Sequence, residues 1–160
     1  MKILVLANKL PYPPRDGGSI ATLNMIGGFY DSGHEISCLA LNTHKHNYPV
    51  DQIPVQWSNS VKFYGVDCNS DIRLGKLLFN LLSYRKPYIA ERFDTQTYRK
   101  KLEEILNKED FDLVQLEGPY LGHYLDTIRN SSSALVSFRA HNVEHLIWKR
   151  KSARESCFPK

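Results

Sequence analysis

The chain has 160 residues, the length of one ordinary domain and enough to bury a core. Hydrophobic residues make up 42% and charged residues 24%, which excludes general disorder, and a net charge of +4 is too small to predict a nucleic-acid partner. Three widely spaced cysteines without a Cys-x-x-Cys motif do not form a disulfide framework, and no apolar stretch reaches the length of a membrane span. We therefore expect a cytoplasmic protein.

The first half of the chain predicts a strand, a helix and two further strands. The apolar run 3–7 is typical of a strand buried on both faces, as in a parallel sheet. A loop with three prolines follows over 8–18, and then a helix over 20–31 that Ser19 would cap. The other elements predicted here are a strand over 35–41, a loop over 42–60 and a strand over 61–66.

In the second half, helices and strands alternate. The predicted elements are helices over 72–84 and 95–107, a strand over 111–116, a helix over 120–129, a strand over 134–138 and a last helix from about 142 or 143. This alternation predicts an α/β, Rossmann-like domain with a doubly wound, mainly parallel sheet over 1–160. Ligands bind outside the carboxyl ends of such strands, so the candidate loops are 8–18, 117–119 and 139–142.

A glycine pair ends the first of these loops. Gly17 and Gly18 precede the first predicted helix, where backbone amides and the helix dipole favour an anion. The dinucleotide fingerprint Gly-x-Gly-x-x-Gly and the Walker A pattern are both absent. The pair is either an anion-binding loop, which its place after the first strand favours, or a plain turn.

The segment 139–145 (RAHNVEH) contains the spelling His-x-x-Glu-His of inverted zinc peptidases. That chemistry needs both histidines on one helical face and a third ligand well downstream. His141 instead follows a predicted strand, and Glu155 is the one acid among the 15 residues after His145, so we expect no metal. Two interpretations of His141 stay open: a hydrogen-bond donor to a polar ligand, or a capping or core residue.

Two other features are equally ambiguous. Glu117 follows a predicted strand and either contacts a hydroxylated ligand or faces solvent at a helix start. The basic run 149–151, with Arg154, lies beside two apolar residues. It forms either a solvated helix face or a peripheral contact with anionic lipid on the inner face of the membrane.

Three stretches, 10–18 (LPYPPRDGG), 33–36 (GHEI) and 141–144 (HNVE), carry a family likeness. Together they resemble the amino-terminal domain of family-four retaining glycosyltransferases, which have the two-Rossmann (GT-B) architecture. The resemblance runs from Met1 to about Arg150. It implies that this domain mainly holds the acceptor, whereas a second domain with a paired-glutamate motif binds the nucleotide sugar. That second domain is missing here, so we expect the chain to be half of an active site.

The resemblance implies transfer of a sugar from a nucleotide-sugar donor to a hydroxyl of a glycan or lipid-linked acceptor, with retention, in glycan or polysaccharide biosynthesis. It implies no cofactor. His141 matches a histidine that contacts the transferred sugar, and Gly17 and Gly18 match a loop that approaches the donor phosphate and the acceptor. The substrate-binding residues implied in this way are Gly17, Gly18, Arg15, Asp16 and Glu117.

Other classes of protein share the predicted fold. A nucleotide-sugar epimerase requires the dinucleotide glycine fingerprint, and a receiver domain requires clustered acids after the first strand, where this chain has Asn8 and Lys9. A non-catalytic Rossmann-like module that binds a nucleotide or another ligand is the main alternative. A zinc peptidase is the weakest one.

Overall fold

The computed structural model describes residues 1–44, 47–68, 93–140 and 142–154. Its elements, in chain order, are β1 (Lys2–Ala7), α1 (Gly17–Asp31), β2 (Glu35–Thr43), a 3-10 turn (Val50–Gln52), α2 (Val55–Ser58), β3 (Val61–Cys68), α3 (Gln96–Lys108), β4 (Leu113–Glu117), a 3-10 helix (Pro119–Tyr124), α4 (Leu125–Ser131), β5 (Leu135–Arg139) and α5 (Glu144–Arg154). The helix predicted over 72–84 lies outside the described residues. None of the described helices is long and apolar enough to span a bilayer.

The five described strands form one parallel sheet in the order β3-β2-β1-β4-β5. The central strand β1 pairs with β2 on one side and β4 on the other, so that Ala7 lies opposite both Ala40 and Glu117. The chain extends the sheet first towards β3 and then, on the other side, towards β5. The carboxyl ends of β1 and β4 therefore flank the topological switch point, where open α/β sheets bind ligands.

Both faces of the sheet are covered, which explains the apolar run in β1. Val5 and its alternate neighbours pack with Ile26 of α1 in one buried cluster. Leu6 packs in a second cluster with Tyr98 of α3 and with Ile128 of α4. A strand buried on both faces needs consecutive apolar residues, and all of β1 after Lys2 is buried. The predicted α/β, Rossmann-like, doubly wound architecture is confirmed.

The start of α1 differs from the prediction. The helix begins at Gly17, and the N-cap is Asp16 rather than Ser19, because the Asp16 carboxylate accepts a hydrogen bond from the Ser19 amide at 3.0 Å. Asp and Ser are about equally good caps, so the residue preference alone could not choose between the two positions. Gly17 and Gly18 are helical; among the described glycines, positive φ occurs at Gly33 (+80°) and Gly118 (+109°).

Two further predictions were partly wrong. The supposed loop 42–60 contains the end of β2, the 3-10 turn and α2, whose Trp57 covers Gly27 of α1. The predicted helix 120–129 begins as a 3-10 helix and becomes α-helical only at Leu125. In both places tertiary packing, rather than local periodicity, determines the backbone geometry.

Candidate functional site

A cavity of about 250 Å³ lies at the carboxyl ends of β1 and β4, beside the first turn of α1. The three loops predicted at 8–18, 117–119 and 139–142 all contribute to its wall. The polar residues that line it include Asn8, Lys9, Asp16, Ser19, Thr22 and Asn142. The described part of the chain thus places a polar cavity at the switch point of the sheet.

An ion pair between Lys9 and Asp16 occupies one side of this cavity. The Lys9 Nζ atom lies 2.6 Å from Oδ1 and 2.5 Å from Oδ2 of Asp16. The hydrogen bond from Lys9, and then that from the Ser19 amide, lower the pKa of Asp16 to about 2. Asp16 is therefore a carboxylate at neutral pH, and it occupies the helix start that the sequence had assigned to an external anion.

Gly18 lies directly against this ion pair. A Cβ on Gly18 would stand 3.3 Å from Asp16 Oδ1 and 3.6 Å from Lys9 Nζ, so the Asp16 carboxylate would have to shift by a few tenths of an ångström. A Cβ on Gly17 would meet no atom within 4 Å. The two glycines therefore differ: only Gly18 is held against the polar wall of the cavity.

Glu117 neither faces solvent nor projects freely into the cavity. Its side chain is 1% exposed and pairs with Arg139, whose Nε lies 3.1 Å from Oε1 and 3.0 Å from Oε2 and whose Nη2 also contacts Oε2. Thr22 Oγ1 and Gln115 Nε2 donate further hydrogen bonds to this carboxylate, each at 3.1 Å. The alternative in which Glu117 faces solvent is wrong. The network ties α1, β4 and β5 together beneath the cavity.

The other predicted site residues are placed as follows. Arg15 is exposed and lies outside the lining of the cavity. His141 lies outside the described residues, although its neighbour Asn142 lines the cavity. Sequence reasoning missed Lys9 and Thr22 as site residues. The position of Lys9 two residues after the end of the first buried strand was the signal that could have identified it.

Metal ligands form no cluster in the described ranges, where no group of three His, Cys, Asp or Glu residues could hold an ion. His145 is exposed on α5. Because His141 is not among the residues described, the expected absence of zinc stays a prediction.

The fold and the cavity define the chain as a Rossmann-like α/β domain with a polar pocket at its switch point. No family model and no curated protein matches it. Among solved structures, the C-terminal domain of a hydrogenase from Pyrococcus furiosus is similar, with a TM-score of 0.51, 15% identity and coverage of 86% of this chain and 89% of that chain. At this identity the likeness shows the fold alone.

Proposed function

We propose that the chain is the acceptor-binding half of a retaining glycosyltransferase of the GT-B type. It would act with a second domain to move a sugar from a nucleotide-sugar donor to a hydroxyl of a glycan or lipid-linked acceptor. The main support is the polar cavity at the switch point. Its amide, hydroxyl, ammonium and carboxylate groups supply hydrogen-bond donors and acceptors of the kind that bind hydroxyl groups.

The stretches that carry the family resemblance also support the proposal. Pro11, Asp16 and Gly18 of the stretch 10–18 line the same cavity as Asn142 of the stretch 141–144. These two stretches are far apart in the sequence, yet they meet at one place in the fold. Because both stretches line this cavity, the residues that carry the family resemblance lie where a ligand would bind.

In this proposal the chemistry is divided between two domains. His141 donates a hydrogen bond to the transferred sugar, while the acceptor lies along the wall formed by Asp16 and Gly18. Charge develops on the departing diphosphate, so preorganised donors must stabilise it. The second domain supplies most of them. A non-catalytic ligand-binding module is the alternative, and it differs in requiring no second domain.

Residues 1–160 alone are expected to transfer no sugar and to hydrolyse no nucleotide sugar, because the proposal assigns donor binding to a second domain outside these residues. The measurement is release of free nucleotide from a panel of UDP-, GDP- and ADP-sugars, with calorimetry for binding. Extension of the chain by a second Rossmann domain should restore nucleotide release with at least one donor. Micromolar binding of a nucleotide sugar by residues 1–160 would contradict the divided site.

We also propose that α5 contacts anionic lipid. Val143, Leu146, Ile147 and Trp148 are each between 40% and 54% exposed, and the exposed basic residues of α5 follow them. Apolar side chains followed by a positive cluster suit the interface of a negatively charged bilayer.

Charge reversal on α5 is expected to weaken this contact. Lys149→Glu with Lys151→Glu should lower partitioning onto phosphatidylglycerol-containing vesicles by roughly 30-fold or more, because each lost cation removes about 1 kcal/mol and the new carboxylates are repelled. Cosedimentation measures the bound fraction. The matched control, Lys100→Glu with Lys108→Glu, changes two exposed lysines of α3 and should have little effect. Equal losses in both variants would show a general charge effect and refute a contact through α5.

A further inference from the structure

We infer that a second cavity, at the amino ends of the strands, binds a zwitterionic small molecule with an apolar body, such as a free amino acid. This cavity has a volume of about 250 Å³ and lies at the edge of the sheet opposite the switch point. It is formed by the first residues of β1, β2 and β3, the ends of α1 and α2, and the segment between α3 and β4. The inference does not depend on the proposed function, because no described residue lines both cavities.

The inner wall of this amino-edge cavity is apolar. Ile36, Val61 and Phe111 line it, and all three are buried core residues. Ile36 and Val61 lie opposite each other in neighbouring strands, and Phe111 precedes β4. A ligand therefore needs an apolar body to fill the inner part of the cavity, because removal of its apolar surface from water is favourable there.

Two ion pairs form the outer wall. Lys2 Nζ lies 3.9 Å from Glu35 Oε2, and Lys62 Nζ donates hydrogen bonds to both carboxylate oxygens of Glu109, at 3.0 and 3.2 Å. The hydrogen bond from Lys62 lowers the pKa of Glu109, which is therefore a carboxylate at neutral pH. Among the described residues that line the cavity, these four are the only Lys, Arg, Asp or Glu, and their formal charges sum to zero.

The pair of Lys2 and Glu35 is the one that can bind a ligand. At 3.9 Å the two groups are too far apart for a hydrogen bond, and their side chains are 45% and 74% exposed. The carboxylate of an amino acid can accept a hydrogen bond from Lys2 while its ammonium donates one to Glu35. A simple anion would meet two carboxylates in this wall, and a simple cation would meet two ammonium groups. The balanced wall therefore favours a ligand that carries both charges.

The test is a nuclear magnetic resonance titration of the 160-residue chain. It follows the backbone amides of Glu35, Ser37 and Lys62, with those of Gly18 and Gly118 as reporters of the cavity at the switch point. The probes are L-leucine, L-methionine and L-phenylalanine, together with the N-acetyl form and the methyl ester of each. Acetylation removes the positive charge and esterification removes the negative charge, while the apolar side chain stays the same.

We expect at least one of the three amino acids to shift the amides of the amino-edge cavity and to leave those at the switch point unchanged. Its N-acetyl form and its methyl ester should each bind more weakly by about tenfold or more, the cost of one lost hydrogen bond between charged groups.

Two variants are expected to change the selectivity in opposite directions. Glu35→Gln leaves the wall with a net positive charge, so affinity for the amino acid should fall about tenfold while affinity for its N-acetyl form rises. Lys2→Gln should also weaken the amino acid, but it should raise affinity for the methyl ester. Glu104→Gln and Lys100→Gln, changes on α3 at exposed residues with the same charge differences, are the matched controls and should alter neither affinity.

The inference is overturned if none of the three amino acids shifts the amides of Glu35, Ser37 and Lys62, or if both derivatives bind as tightly as the parent amino acid. It is also overturned if Glu104→Gln weakens binding as much as Glu35→Gln does. Sugar transfer by a two-domain protein is a separate measurement, so its success or failure leaves this result unchanged.

Discussion

Replacement of Arg139 by alanine is expected to lower the free energy of unfolding by about 3 kcal/mol, because it leaves the Glu117 carboxylate buried without its guanidinium. Glu117 is 1% exposed, whereas Arg139 is 34% exposed, so the cost should lie at the lower end of the range for broken buried pairs. For a chain of this length the melting temperature should fall by about 6–12 °C. Urea denaturation and thermal melting measure the two quantities.

Two variants control this prediction. Lys62→Ala removes an exposed ion pair with Glu109 and should cost no more than about 1 kcal/mol, as is usual at a surface. The double variant Glu117→Gln with Arg139→Met leaves no buried charge, so it should be more stable than Arg139→Ala. If Arg139→Ala costs no more than Lys62→Ala, the network beneath the cavity does not stabilise the fold.

Gly18→Val is expected to lower turnover of the proposed two-domain glycosyltransferase by about 10- to 1,000-fold, the usual cost of a lost contact to a reacting or positioning group. A side chain at Gly18 starts 3.3 Å from Asp16 Oδ1, so it crowds the ion pair and the carboxylate must shift. Gly17→Val is the matched control, since its Cβ meets no atom within 4 Å, and it should lose far less. Initial rates of nucleotide release measure the difference.

His141→Ala should cause a similar loss of turnover, while its melting temperature changes little. The reason is that the proposed function gives His141 a contact with the transferred sugar, and a histidine with that role contributes little to core packing. Turnover and melting temperature must be measured on the same preparations. A variant that melts many degrees lower but keeps near-normal turnover would make His141 a structural residue and refute its place in the site.

The sequence was sufficient for the architecture because the core of a doubly wound sheet is encoded locally. The run 3–7 is apolar throughout because β1 is covered on both faces, and that pattern needs no knowledge of its neighbours. The alternation of strands and helices then limits the topology, since parallel strands require crossover connections. The rule that ligands bind outside the carboxyl ends of parallel strands selected the loops 8–18, 117–119 and 139–142 as candidates, and residues of all three line one cavity.

Only the tertiary structure decided what the polar residues of these loops do. Glu117 had two interpretations in the sequence, and its true partners are 22 residues away at Arg139 and 95 residues away at Thr22. The resemblance implied that Asp16 binds substrate, and only the structure shows that this cavity residue also caps α1 and binds Lys9. An apolar side chain needs only to be buried. The spacing of apolar residues along a helix or strand shows which of them are buried. A charged side chain needs a particular partner at hydrogen-bond distance, and that partner is determined by how the strands and α1 assemble.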